Sequence, residues 1–235
     1  MKVFVLPLAL AGLMTTARPA SAPSSFTNEQ LHYSINWPSG LSLGEAQLRG
    51  SHAPPTPKSG EQLDFDFSVD AGIPGFPVKD HYRSVASSEF CSIELDRNAI
   101  HGTKKTDEKT VFDPQAGTAT RETVHGGKSE ISAPACAKDA LDFLYYVRRE
   151  LAQGRLPAPQ HVFFGSEYDI RLEFAGTQSI KVGDTAQDAD RLNATVKGPS
   201  SEVSFEVFFL KDKARTPALV RVPLSLGTFS MELVK

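Results

Sequence analysis

Apolar and polar residues alternate with a period of two along most of this chain, the pattern of strands with one buried face. Leu31, Tyr33, Ile35 and Trp37 alternate with polar neighbours, Pro38-Ser39-Gly40 provides a turn, and Leu43, Ala46 and Leu48 continue beyond it. This predicts a β-hairpin. The proline-rich stretch Ala53–Gly60 reads as a loop. Leu63, Phe65, Phe67 and Val69 then alternate with Asp64, Asp66, Ser68 and Asp70, giving one apolar and one acidic face. Gly72–Val78 joins that strand to the next while carrying Ile73, Phe76 and Val78. Apolar residues at a turn either touch a membrane or ligand or fold back as a plug over a barrel end. Short polar strands are expected at 82–87, 91–95, 100–106, 110–113 and 118–124. Further strands are expected at 162–164, 168–174, 178–182, 192–196, 203–210, 218–222 and 229–234, spaced as an antiparallel meander.

One stretch departs from this period. In Ala137–Gly154 the apolar residues recur at helical spacing, and at 100° per residue Leu141, Phe143, Leu144, Tyr145, Val147 and Leu151 share an arc of about 200°. Lys138, Asp139, Asp142, Tyr146, Arg149 and Glu150 fall opposite. Gly154 ends the helix and Pro157 and Pro159 forbid its continuation. Arg148 projects into the apolar arc, where a guanidinium is tolerated only if acceptors meet its donors. It either binds an anion inside a cavity or pairs with a strand carboxylate. The order strands, helix, strands, without βαβ units or internal repeats, predicts a mainly β fold. The expected architecture is a strongly curved antiparallel sheet or incomplete barrel, with the helix packed on its concave face.

Residues 1–22 carry Lys2, an apolar run over 3–14 and the small-residue pattern Ala20-Ser21-Ala22, which describe a secretory signal peptide cleaved after Ala22 or after Ala17. The expected organisation is a leader over 1–22 and a single barrel-like domain over 23–235, located in the periplasm or secreted. Without the leader the chain keeps 23 basic and 28 acidic side chains, a net charge of −5. That balance argues against nucleic acid or an anionic membrane as the main partner. No further segment reads as membrane-spanning. Cys91 and Cys136 are the only cysteines, and an even count in an exported chain predicts a disulfide between them.

Sequence signals for catalysis are sparse. The six histidines are scattered without metal-ligand spacing, and GxSxG, P-loop and GxGxxG motifs are absent, so no metal or cofactor is expected. Asp184, Asp188 and Asp190 read as a solvated acidic turn. Asp64, Asp66, Asp80 and Glu89 are the carboxylates that a glycan hydrolase or lyase could use from neighbouring strands.

Several fragments together carry a resemblance: LxYxIxW followed by LGEA within 31–46, KDALDFLYYVR at 138–148, FFLKDKARTPALV at 208–220 and GTFSMEL at 227–233. They resemble an uncharacterised family of exported bacterial proteins, a domain of unknown function. Its members carry a D-x-L-x-x-L-Y-Y-x-R helix and a D-x-x-R-x-P hairpin. The resemblance implies a curved sheet around a helix, similar in outline to periplasmic lipoprotein carriers, and no established activity. Its recurrent positions are Asp139, Tyr145, Tyr146 and Arg148 on the helix and Asp212, Arg215 and Pro217 on the hairpin.

The leading expectation is a non-enzymatic envelope binding or carrier protein whose cavity takes an amphipathic or anionic ligand: a lipid, lipoprotein or glycan. Tyr145, Arg148, Tyr146 and Asp139 are its candidate ligand residues. The alternatives are a structural adaptor binding protein through a sheet edge or acidic face, and the carboxylate enzyme.

Overall fold

The computed structural model describes residues 28–53, 60–225 and 227–234. The expected leader over 1–22 and residues 54–59 of the proline loop lie outside the described residues. Strands β1 (Glu29–Asn36) and β2 (Ser42–Ala53) form the first hairpin as the alternation predicts. β3 (Gln62–Ile73), β4 (Phe76–Ser87), β5 (Ser92–His101), β6 (Lys104–Asp113), β7 (Thr118–Thr123) and β8 (Lys128–Ser132) extend it as an antiparallel meander. A strand was expected to run from Ile100 to Thr106, but Gly102 adopts φ +62° and the chain reverses there. Glycine takes this left-handed conformation without the Cβ clash that other residues incur.

After β9 (Lys138–Asp139) and helix α1 (Ala140–Ala152), the chain forms β10 (Gln160–Phe163), β11 (Glu167–Val182), β12 (Thr185–Lys197), β13 (Glu202–Leu210), β14 (Pro217–Leu224) and β15 (Gly227–Val234). β11 unites two expected strands across a bulge between Phe174 and Thr177. β15 returns to pair with β1, with Tyr33 opposite Leu233. The two meanders thereby join into one fifteen-stranded sheet, ordered β8-β7-β6-β5-β4-β3-β2-β1-β15-β14-β13-β12-β11-β10-β9.

The sheet wraps round the helix and almost meets itself. β9 pairs in parallel with β10, and Ser92 N–H in β5 donates to the carbonyl of Ala137 beside β9 (2.9 Å). The Cys91–Cys136 disulfide crosses the same seam. Arg97 pairs with Glu108 and lies over the Phe164 ring at 4.0 Å, while Arg121 donates to the carbonyl of Gly165, so polar side chains tie β5–β7 to the turn after β10.

Because α1 sits inside the curve, its two flanks face two separate apolar clusters. Leu141 and Tyr145 join Tyr33, Leu48, Leu63 and Phe65 in one core, and Tyr145 stacks on Phe65 with ring centroids 4.0 Å apart. Phe143, Val147 and Leu151 join Val162, Leu192, Val207 and Phe209 in another. Most of the expected polar face is buried as well: Lys138, Asp139, Asp142 and Glu150 are buried, while Tyr146 and Arg149 are half-buried. The periodicity located the apolar arc, but the seam at β9 covers most of the side that a flat sheet would leave in solvent.

Both helix ends are built from local sequence. Asp139 caps the N-terminus, its carboxylate accepting from Leu141 N–H (2.9 Å) and Asp142 N–H (3.0 Å). At the C-terminus Gly154 (φ +71°) donates to Leu151 O and Arg155 N–H to Glu150 O, the paired bonds of a Schellman ending. A further core lies on the other face of the sheet, where β11 beyond its bulge buries Ile180 and Val182 against Phe208, Leu210 and Leu219.

Candidate functional site

The concave face between α1 and strands β10–β13 is not filled. A cavity of about 480 Å³ remains there, within the range of small-molecule sites. Helix residues Phe143, Leu144 and Val147 form one wall. Facing them, Ile170 and Leu172 of β11, Ala194 of β12 and Phe205 and Val207 of β13 lie at alternate positions along their strands. Tyr168 supplies the one hydroxyl of the lining, and no charged side chain contributes to it. Such a surface pairs with hydrocarbon and leaves a buried charge without a counter-ion.

The residues expected to bind ligand lie elsewhere. Arg148 turns to the opposite flank of the helix and forms a bidentate pair with Glu29 of β1, both N···O distances being 2.6 Å. Its Nε donates to the carbonyl of Ala214 (3.0 Å), and its guanidinium lies 4.7 Å from the centroid of the Tyr145 ring. Burial alone disfavours its charge, but the Glu29 carboxylate holds its pKa above the ordinary arginine value. Tyr145 O–H donates to Glu29 (3.3 Å) and Tyr33 O–H to the carbonyl of Pro217 (2.8 Å); burial pushes both phenols above their ordinary pKa. Arg148 and Tyr145 therefore do not line the cavity. They belong to a closed polar network whose donors are met by protein acceptors.

The hairpin residues meet the same network. Asp212 accepts from Thr216 N–H (3.0 Å) and Thr216 O–H (2.7 Å), fixing the turn between β13 and β14. Arg215, at φ +48°, donates to Asp190 of β12 (2.8 Å), and Pro217 opens β14. This corrects the reading of Asp184, Asp188 and Asp190 as one solvated turn. Asp188 and Asp190 are strand residues, and Asp190 also accepts from Thr177 (2.6 Å).

Asp139 and Tyr146 sit at a second buried polar cluster, also away from the cavity lining. Asp139 Oδ2 accepts from Ser84 O–H (2.5 Å) and lies 2.8 Å from Ser92 Oγ, which lies 3.1 Å from Asp142 Oδ2. Burial drives both carboxyls above the usual carboxylate range, and the Asp139 charge adds to the rise at Asp142. Lys138 donates to the carbonyl of Phe90 and lies 4.5 Å from the centroid of the Tyr146 ring; burial lowers its pKa.

The candidate carboxylates of an enzyme are spread along cross-strand pairs. Asp64 meets Arg83, Asp66 meets His81 (2.6 Å) and Asp80 meets His101 (2.8 Å). Among the described residues no three His, Cys, Asp or Glu side chains are grouped to hold a metal, and no helix is long and apolar enough to cross a membrane.

None of the lining residues is among the candidate ligand residues read from the sequence. The available signal was the alternation Tyr168, Ile170, Leu172, together with the helix positions Phe143 and Val147 one turn apart.

The fold is shared with a solved protein. A crystal structure of a β-barrel-like protein of domain of unknown function DUF1849 from Brucella abortus superposes with a TM-score of 0.59 at 8% identity, covering 89% of this chain and 97% of that one. No curated protein sequence matches this chain. Residues 31–234 match a family described as "Protein of unknown function (DUF3108)". With most of its length in that match, the chain belongs to the DUF3108 family.

Proposed function

We propose that this protein is a non-enzymatic binding or carrier protein of the cell envelope that holds the hydrocarbon part of a lipid-like or lipidated ligand. The observation that carries the reading is the uncharged cavity between α1 and β10–β13. At about 480 Å³ it accommodates an acyl chain or a comparable apolar group. The ligand class is narrower than the sequence suggested. With Arg148 paired to Glu29, an anionic headgroup finds no counter-ion in the cavity and must sit at its opening. Export to an oxidising compartment is supported by the leader-like residues 1–22 and by the disulfide across the sheet seam.

The adaptor reading draws less support. The terminal strand β8 exposes Lys128 and Glu130, charges that discourage pairing with a further strand.

Native mass spectrometry of the protein purified from the periplasm tests the proposal. Wild type is expected to carry an apolar ligand, and Ala194→Phe, which places a ring in the cavity, is expected to lose it. Wild type that carries nothing and takes up no hydrophobic fluorescent probe would overturn the proposal.

A further inference from the structure

Hairpin turns at one end of the sheet differ in kind from those at the other. In order across the sheet, the first end carries the turns β7–β8, β5–β6, β3–β4, β1–β2, β14–β15, β12–β13 and β10–β11. Val124 is exposed at the first of these, Ile73 and Phe76 at β3–β4, Leu41 at β1–β2, Leu224 at β14–β15 and Val203 at β12–β13. Leu41 and Val124 are 68% and 66% accessible, more than any other large apolar side chain among the described residues. At β5–β6 the Phe76 ring lies over Gly102, where an added Cβ would stand 2.7 Å from it. Of the opposite turns, those at 87–92, 113–118, 182–185 and 210–217 expose no large apolar side chain, and that at 53–62 lies largely outside the described residues. A single exposed Leu is ordinary. Apolar tips at five of these seven turns, where polar residues satisfy turn geometry best, need an apolar surrounding.

Three features identify that surrounding as lipid. The tips stand apart, since neighbouring hairpins are separated by two strand spacings, about 10 Å. A fluid hydrocarbon phase accepts each tip separately, whereas a folded partner would need a pocket for every one. Lys104 and Lys105 stand exposed side by side at β5–β6, while Lys128 and Lys197 at neighbouring turns face Glu122 and Glu202. Lysines so placed reach phosphate headgroups while neighbouring side chains enter the acyl layer. Finally, the cavity lining reaches this end, through Tyr168 beside the start of β11 and Val196 beside the end of β12.

We infer that this end of the sheet docks on a lipid bilayer surface, inserting Leu41, Ile73, Phe76, Val124, Val203 and Leu224 below the headgroups and bringing the cavity within reach of acyl chains. Only the last clause rests on the carrier reading.

Flotation with protein-free vesicles tests docking, using chains that start at Pro23 so that the apolar run over 3–14 does not contribute. Wild type is expected to float with vesicles of phosphatidylethanolamine and phosphatidylglycerol. Leu41→Ser/Phe76→Ser/Leu224→Ser changes only exposed side chains, so an unchanged thermal midpoint certifies its fold. It is expected to partition about tenfold less or weaker. Lys104→Gln/Lys105→Gln is expected to lose several-fold at low salt and nothing at high salt. Ala194→Phe is expected to float like wild type while losing cavity ligand, which separates docking from carriage. Wild type that fails to float, that floats only with vesicles containing native membrane proteins, or that floats no better than the triple variant overturns the inference.

Discussion

Arg148, on the helix, donates its Nε–H to the main-chain oxygen of Ala214 in the β13–β14 turn, 66 residues further along the chain. The helix motif and the hairpin motif that stood out separately in the sequence are thus parts of one joint. Glu29, which meets Arg148 and Tyr145, and the carbonyl of Pro217 under Tyr33 belong to the same joint. The joint fixes the helix against β1 and β14, the strands through which the two meanders become one sheet.

Removing Arg148 should therefore cost stability and spare the ligand. Arg148→Met leaves Glu29, largely buried, with the Tyr145 hydroxyl but without its counter-ion, at an expected cost of about 3–5 kcal/mol. Replacing Glu29 by Leu in the same chain should recover much of the loss, because neither charge is then stranded. Urea unfolding measures the first effect, and native mass spectrometry is expected to find ligand occupancy unchanged. Lost ligand with intact stability would restore Arg148 to the binding site.

The Asp139–Asp142 cluster should make stability fall as pH rises. Burial holds the folded-state pKa of Asp142 above its unfolded value, so the folded protein keeps a proton that the unfolded chain releases above about pH 4. The stabilisation is complete below that pH and is lost as pH climbs towards the raised folded value, at about 1.4 kcal/mol per pH unit. Asp142→Asn keeps a neutral group facing Ser92, Lys138, Asp139 and Arg149. Its thermal midpoint should match wild type near pH 4 and exceed it increasingly towards pH 7. Parallel curves for the two proteins would contradict this account.

Gly50 of β2 passes under the Tyr145 ring, where an added Cβ would lie 2.8 Å from the phenolic oxygen and 2.9 Å from Cε1. Gly50→Ala should destabilise by about 1–3 kcal/mol through this overlap. The cost should shrink when Tyr145→Leu is combined with it, a coupling that a double-mutant cycle measures directly.

Reduction of Cys91–Cys136 should loosen the seam where β9 approaches β5. A loss of about 2–4 kcal/mol is expected in chemical denaturation. Hydrogen exchange should rise first at Ser92 N–H, which bonds Ala137 across that seam. Uniform exchange across the sheet after reduction would argue against a local role.

Much of the fold was written locally. Leu63, Phe65, Phe67 and Val69 declare a one-sided strand because strand side chains alternate, and Asp139 and Gly154 mark the helix ends because backbone groups there need partners. The sequence does not mark the turn at Gly102, because Ile100, Thr103 and Thr106 suit a strand as well as they flank a turn. Arg148 could be singled out as a charge in an apolar arc, which is a local fact. Its partner could not, since Glu29 stands 119 residues earlier, two positions before the alternation of Leu31, Tyr33 and Ile35 begins.

The chain by itself determined a β meander interrupted by one helix, two cysteines suited to a bridge, and an arginine that required acceptors. Tertiary structure decided that β15 returns to β1, that the sheet curls far enough to bury most of the helix's polar side, and that Arg148 is satisfied by Glu29 on one flank while a cavity stays open on the other. The reason is physical. Periodicity reports which side of an element avoids water, whereas closure, ion-pair partners and unfilled volume depend on how distant elements meet.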